Sequence, residues 1–180
     1  MRKKQYQYLY RQNKTSNAYI IEISLDDYSE LFNGWDASPL RKKDLEPELL
    51  DYLEQAGMEI PLKEEIEVEF FIPKEQRDQD KEERSLLGIK NHLKSVLFFI
   101  DKKLGLLYRR MIIFLMMSMS FLTMTYLLRN QAETLLFSIM IEGFFIGGWF
   151  LLWETFSTFF FDTHELRIKK RIFKRYLNAL

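Results

Sequence analysis

The chain of 180 residues carries 26 basic and 26 acidic side chains and no cysteine. The charges are unevenly distributed, because residues 17–83 hold twenty acidic and seven basic groups, whereas residues 84–128 have a net charge of +6. An acidic surface argues against nonspecific nucleic-acid binding, which depends on basic contacts to phosphates. The usual sequence signatures of zinc, nucleotide and catalytic-nucleophile sites are missing, so we expect no enzyme activity, no cofactor and no bound metal.

Residues 1–78 are predicted to form an acidic α+β module. Tyrosines occupy every second position from 6 to 10, and the run Tyr19–Leu25 is rich in β-branched and aromatic side chains, which together predict a β-hairpin. Asp26 is expected to cap a short helix that ends at Phe32. A core of this size is only marginally stable, so the module is expected to lean on partners or on the element that follows it.

A helix and a further strand are predicted in the second half of this module. Pro47 suits a first helical turn, leucines at 49, 50 and 53 form an apolar stripe, and Gly57 is placed to end the helix. Apolar residues then alternate mainly with glutamates from 65 to 72. This period of two predicts a strand with one solvated face.

A long helix is predicted from about Gln79 into the first apolar run, with residues 79–110 serving as a stalk or linker. Its apolar residues recur at spacings of three and four, at Leu86, Ile89, Leu93, Val96 and Ile100. The spacing is that of a coiled-coil seam, which would transmit motion from the module to the membrane. Packing of the same residues on the module's own sheet is an equally weighted alternative.

Residues 111–161 are predicted to form a hairpin of two transmembrane helices. The apolar runs Met111–Leu128 and Leu135–Phe161 are both long enough to cross a lipid bilayer. Basic clusters precede the first run and follow the second, while the short link holds only Arg129. Since positive residues stay on the cytoplasmic side, both termini are expected to be cytoplasmic.

Two glutamates, Glu142 and Glu154, interrupt the second apolar run. Antiparallel packing of the two runs places Glu154 near Arg109 and Arg110. Charges at membrane depth are normally paired or face water, so we predict a structural ion pair between Glu154 and one of these arginines.

The other glutamate, Glu142, falls opposite Ser120 and Thr123 in the same register. At that depth a carboxyl group is either protonated and hydrogen-bonded to such hydroxyls or exposed to a polar cavity. Gly143 and Gly147 form a GxxxG spacing, which permits close helix contact in lipid. These five residues are the candidates for a pore lining or gate; a hydrogen bond of Glu142 that locks neighbouring subunits is the competing interpretation.

One cationic patch in the acidic module is a candidate ligand site. Arg41, Lys42 and Lys43 follow each other close to Trp35, a combination that suits an anion or a nucleotide. An exposed basic loop is the alternative.

The C-terminal segment, residues 162–180, is predicted to be a basic amphipathic tail. Ile168, Ile172, Phe173 and Tyr176 alternate with basic residues. Such a segment is suited to lying on an anionic leaflet. A helix that packs back under the bundle is the alternative.

Two stretches, SLDDYSELFNGWD at 24–36 and EGFFIGGW at 142–149, resemble a group of small bacterial two-pass membrane proteins. That likeness implies the bacterial inner membrane and no particular activity. In architecture, a compact module on a two-helix hairpin is similar to the membrane effectors of bacterial anti-phage systems. Some of these assemble into channels gated by a nucleotide signal, so the resemblance implies a homo-oligomer and a nucleotide or oligonucleotide ligand.

Two functions are therefore compatible with the sequence. The first is a homo-oligomeric membrane channel or pore-forming effector gated by its cytosolic module, with a role in anti-phage defence. The second is a membrane-anchored sensor or adaptor, in which the acidic, aromatic module binds a cytosolic protein partner and the hairpin is only an anchor.

Overall fold

A computed structural model describes residues 5–131 and 134–180 of the chain. These residues fall into two compact units. The first unit holds the described residues up to Phe99 together with Ile168–Leu180, and the second unit is Ile100–Arg167. This division differs from the predicted segments, because parts of the presumed linker and of the C-terminal tail pack within the first unit.

The first unit contains a small sheet of three strands. A short helix α1 (Tyr6–Leu9) leads into β1 (Arg11–Gln12), which pairs antiparallel with β2 (Tyr19–Ser24), and β2 pairs in parallel with β3 (Ile66–Phe71). The central strand β2 contributes most of the sheet's buried apolar side chains. A parallel pair needs a long crossover connection, which the intervening residues supply.

The predicted strand at residues 6–10 is wrong, because Tyr6–Leu9 forms one helical turn and only Arg11–Gln12 joins the sheet. The ring of the buried Tyr6 meets that of Tyr19 edge-on at 5.1 Å, while the Tyr10 hydroxyl donates to Glu59 at 2.8 Å. The helical turn ends at Leu9, and Tyr10 follows it with extended backbone dihedrals.

The predicted cap at Asp26 is also displaced by one residue. A 3₁₀ turn spans Tyr28–Leu31, and the Asp27 carboxylate accepts the Ser29 N–H at 2.8 Å. The loop that follows is closed by a bridge between the buried Phe32 and Leu45.

Helix α2 (Pro47–Glu59) begins at Pro47, as expected, but it does not end at Gly57. Gly57 lies inside the helix, and a Cβ atom built there would overlap the side chain of Ile172 and touch that of Tyr176. The missing side chain therefore permits a close helix contact, which is a different use of glycine from the predicted C-terminal stop.

Helix α3 (Gln79–Leu128) is continuous, as the sequence predicts. Within the first unit, the seam residues Ile89 and Leu93 are buried. A Cβ at Gly88 would meet the ring of Phe32 at 2.9 Å, which shows how closely α3 approaches the loop. This stretch of α3 thus completes the core of the first unit.

Helix α4 (Leu135–Ser157) is capped by Thr134, continues through a π-helical turn at Thr158–Asp162, and leads into α5 (Thr163–Ala179). Among the described residues, α3 and the helical stretch Leu135–Ala179 are long and apolar enough to cross a membrane. The architecture is therefore a small three-stranded sheet followed by long helices.

The apolar face of α5 is not free to lie on a lipid leaflet, because Ile172, Phe173 and Tyr176 are fully buried. The Tyr176 hydroxyl donates to the Leu53 carbonyl on α2 at 2.7 Å. This part of α5 belongs to the first unit. The tail is amphipathic, as predicted, but the surface that covers it is protein.

Arg175 fixes α5 to the end of α2. Its guanidinium donates to the carbonyls of Gly57 and Pro61 at 2.9 Å and to that of Ile60 at 3.3 Å. The last carbonyls of a helix lack partners within it and attract a positive charge. Burial lowers the pKa of Arg175. One side chain from α5 therefore bonds the Gly57 carbonyl in the last turn of α2 and two carbonyls of the segment that follows it.

Candidate functional site

Two hydroxyl groups define the register of the helical hairpin in the second unit. Ser118 Oγ on α3 donates to the Gly148 carbonyl on α4 at 2.7 Å, and Thr125 Oγ1 donates to the Ile141 carbonyl at 3.5 Å. Ser118 is fully buried, so its hydroxyl requires this acceptor. The two contacts place Ser118 level with Gly148 and Thr125 level with Ile141.

The close contact between α3 and α4 occurs at Gly148, which the GxxxG pattern did not include. A Cβ at this buried position would lie 2.9 Å from Leu122 Cγ and 3.3 Å from Phe121 Cβ. A Cβ at Gly147 would lie 3.3 Å from the Phe121 ring, whereas a Cβ at Gly143 would meet nothing within 4 Å. Of the predicted pair, only Gly147 contacts the neighbouring helix.

Glu154 lies against Arg110. The Arg110 Nη2 atom is 2.9 Å from Glu154 Oε1, and the same guanidinium sits 4.9 Å from the centre of the Phe114 ring. Within the described parts of the chain Arg109 makes no ion pair with Glu154. Arg110 is therefore the residue that compensates this carboxylate.

Glu142 lies on the exposed side of α4, at the edge of an open groove of about 620 Å³. Its polar neighbours along the groove are Thr125, Arg129 and Ser138. Within residues 5–131 and 134–180 the carboxylate makes no hydrogen bond and no ion pair. Glu142 is thus a carboxylate in an apolar helix that forms no ion pair or hydrogen bond with the described residues.

The predicted pairing of Glu142 with Ser120 and Thr123 is not formed. Both hydroxyl residues are exposed and neither lines the groove. The Ser118 and Thr125 contacts set the helices in a register that brings Thr125, rather than Thr123, to the groove. Ser120 and Thr123 remain exposed polar positions three residues apart, which places them on neighbouring parts of one helix face.

The four residues of the candidate cationic site are not gathered in one cavity. Arg41 borders a shallow groove together with Arg84, and its carbonyl accepts the Asn91 side chain at 2.8 Å. Trp35, Lys42 and Lys43 lie outside that groove. Trp35 is 97% exposed, so it forms an isolated aromatic surface point rather than the wall of a pocket.

In the described ranges, no group of three histidine, cysteine, aspartate or glutamate side chains is arranged to hold a metal ion. Comparison of the chain with protein-family models, curated proteins and solved structures finds no match. The geometry of the chain itself is therefore the basis for assigning a function.

Proposed function

We propose that the chain inserts its two apolar helices into a membrane and assembles into a homo-oligomeric channel or pore-forming effector that the first unit gates. The supporting observation is Glu142, an exposed carboxylate on α4 without a partner in the described residues. A carboxyl group at membrane depth is costly unless it is paired, hydrogen-bonded or hydrated. Glu142 therefore needs a bonded partner or water, and the described residues of one hairpin provide no bonded partner.

Further copies of the chain supply that environment. A two-helix hairpin is too small to enclose a pore, so copies must assemble around a shared axis. Ser120 and Thr123 are exposed as well, and their hydroxyls would lie at a contact between copies or along the water-filled path. The large exposed apolar side chains of the hairpin, such as Phe150 and Trp153, would face lipid.

The first unit is suited to control the hairpin because the connections between them are helical. Helix α3 contains residues of both units, and α5 does as well. We expect a ligand bound to the first unit to act on the hairpin through these helices. A nucleotide or oligonucleotide signal and a role in anti-phage defence remain predictions from the architectural resemblance.

Planar-bilayer recording of the purified full-length chain tests this function. We expect ionic conductance, and Glu142→Gln should shift the reversal potential towards weaker cation selectivity because it removes a carboxylate from the pore. Glu165→Gln is the matched control, since Glu165 is exposed and lies outside the apolar run. Native mass spectrometry should show the same oligomer in all three proteins.

Two results would contradict the proposal. A monomer without conductance would exclude a channel, and a Glu142→Gln variant that falls apart into monomers would assign Glu142 to subunit contact instead of ion passage.

A membrane-anchored sensor or adaptor is the second candidate, and Trp35 favours it. An almost fully exposed tryptophan on an acidic unit is typical of the aromatic contacts that dominate protein interfaces. In this case, replacing the hairpin by an unrelated two-helix anchor should leave partner binding intact, whereas Trp35→Ala should weaken it. A channel would not tolerate the hairpin replacement.

A further inference from the structure

The first unit contains a cavity of about 290 Å³ that is separate from the cationic patch predicted from the sequence. It lies between the end of β3, the 3₁₀ turn Tyr28–Leu31 and the first turns of α3. Leu25, Phe70 and Ile89 form part of its apolar wall. All of its lining residues belong to the first unit.

Ser85 gives this apolar cavity an unsatisfied polar group. The residue is only 2% exposed, and its Oγ has no hydrogen-bond partner in the described parts of the chain. Buried hydroxyls are nearly always hydrogen-bonded, because leaving one unpaired loses the interaction it had with water. A polar atom of a bound molecule would satisfy this hydroxyl once the Ser85 side chain rotates towards the cavity.

The cavity also has a positively charged border. Lys74 and Arg77 line it along with a single acidic residue, Glu82. Arg77 Nε is 3.9 Å from Glu82 Oε2 and both side chains are exposed, so this ion pair is weak. Two cations therefore face the cavity in a segment of the chain whose charge is otherwise strongly negative.

We propose that this cavity binds a small organic anion with an apolar body. The body would pack between Phe70 and Ile89, a polar atom would bond Ser85 Oγ, and a carboxylate, sulfonate or phosphate group would meet Lys74 and Arg77. An apolar wall with a few placed polar groups is the usual composition of a small-molecule site. Binding in this cavity can be measured whether or not the hairpins conduct ions, so the site stands independently of the channel.

A pair of probes with the same body and different charge tests the site. The full-length chain in lipid nanodiscs is titrated with 2-naphthalenesulfonate and with the neutral naphthalene-2-carboxamide, and empty nanodiscs correct for partition into lipid. The sulfonate should bind about fivefold more tightly than the amide, the scale of two exposed charge contacts.

The preference should disappear in the double variant Lys74→Gln/Arg77→Gln, which changes only surface charge. The matched control, Lys14→Gln/Lys63→Gln, removes two other exposed cations of the first unit and should keep the preference. A preference that survives in the first variant, or is equally lost in the control, would overturn the assignment of the anion to Lys74 and Arg77.

A second variant places the probe inside the cavity. Ser85→Leu fills the space next to Ile89 and should abolish the binding of both probes. Hydrogen exchange of α2 and β2 verifies that this variant is folded; if it is not, the charge variants decide the outcome. Absence of binding to the wild-type chain at millimolar probe, or undiminished binding to a folded Ser85→Leu protein, would refute the site.

Discussion

Helices α4 and α5 follow each other in the chain but differ in how much of their apolar side chains is exposed. In α5, Ile172, Phe173 and Tyr176 lie on one face and are at most 2% exposed. In α4, apolar residues surround the helix, and side chains such as Phe150 and Trp153 are 66% and 71% exposed. A one-sided apolar stripe covers a protein core, whereas a helix that is apolar all round is typical of a membrane span or of the interior of a large protein.

Removal of the Tyr176 side chain should have the largest effect on this contrast. Tyr176→Ala leaves a cavity and frees the Leu53 carbonyl, so the first unit should lose about 3–5 kcal/mol of stability. Hydrogen exchange of the α2 amides in the full-length chain measures the loss. Trp153→Ala removes an aromatic ring of comparable size from the exposed side of α4 and should change the stability of the first unit by less than about 0.5 kcal/mol. Equal losses in both variants would remove the distinction between the helices.

Replacement of Arg175 should have the next largest effect. Arg175→Met removes the donors that satisfy the end of α2, at an expected cost of about 2–3 kcal/mol. The loss of stability is measured by denaturant unfolding in detergent and, separately, by hydrogen exchange of the α2 amides. Arg171→Met changes an exposed arginine on the same helix and serves as the control. If the two variants were equally stable, Arg175 would not anchor α5.

Glycine substitutions in α4 test the packing within the hairpin. Gly148→Ala brings a methyl group too close to Leu122 and should destabilise the hairpin by about 1–2 kcal/mol. Gly143→Ala points into open space and should have little effect. Reversible unfolding in mixed detergent micelles compares the two variants. A larger effect at Gly143 would place the contact between helices on the GxxxG face.

The smallest expected effect is a change in acid sensitivity of the first unit. The N–H groups of Asp44 and Ser38 bond the Asp36 carboxylate and lower its pKa below the usual 3.8. Its stabilising contribution is therefore present above pH 3.8 and is lost as the pH falls through the lower, folded-state value. Asp36→Asn should reduce the loss of thermal stability as the pH falls below about 4, whereas Asp51→Asn, at an exposed site on α2, should not. Identical acid profiles in the two variants would contradict this role.

Local patterns predicted those elements whose signals are strong over many residues. The uninterrupted helix from Gln79 and the alternating strand at 66–71 have the periodicity that their structures require, and the apolar runs were recognised by their length. The strand prediction at residues 6–10 was wrong because spacings of two and of four coincide at Tyr6 and Tyr10. A pattern of five residues therefore cannot distinguish a strand from a helical turn. The prediction that Gly57 ends α2 was wrong because glycine occurs both at the ends of helices and at sites where two helices come close.

The candidate site was only partly predictable for a similar reason. The charge of Glu154 and its level in the hairpin were enough to predict its contact with the arginine pair. Long side chains still meet when the register of the two helices differs by one or two residues. The neighbours of Glu142 depend on the register, which the Ser118 and Gly148 contact sets, and that contact carries no sequence signature. The Ser85 cavity is formed by residues far apart in the chain, and periodicity gives no information about such a space.

The return of Ile168–Leu180 to the first unit has a consequence for biosynthesis. The ribosome makes the sheet and α2 first, then the hairpin, and only afterwards the residues that cover Gly57. Since synthesis proceeds at about 5–20 residues per second, Ile172 and Tyr176 are added several seconds after the sheet and α2. The first unit is therefore completed only after both hairpin helices have been synthesised, and until then the α2 surface around Gly57 lacks its cover from α5.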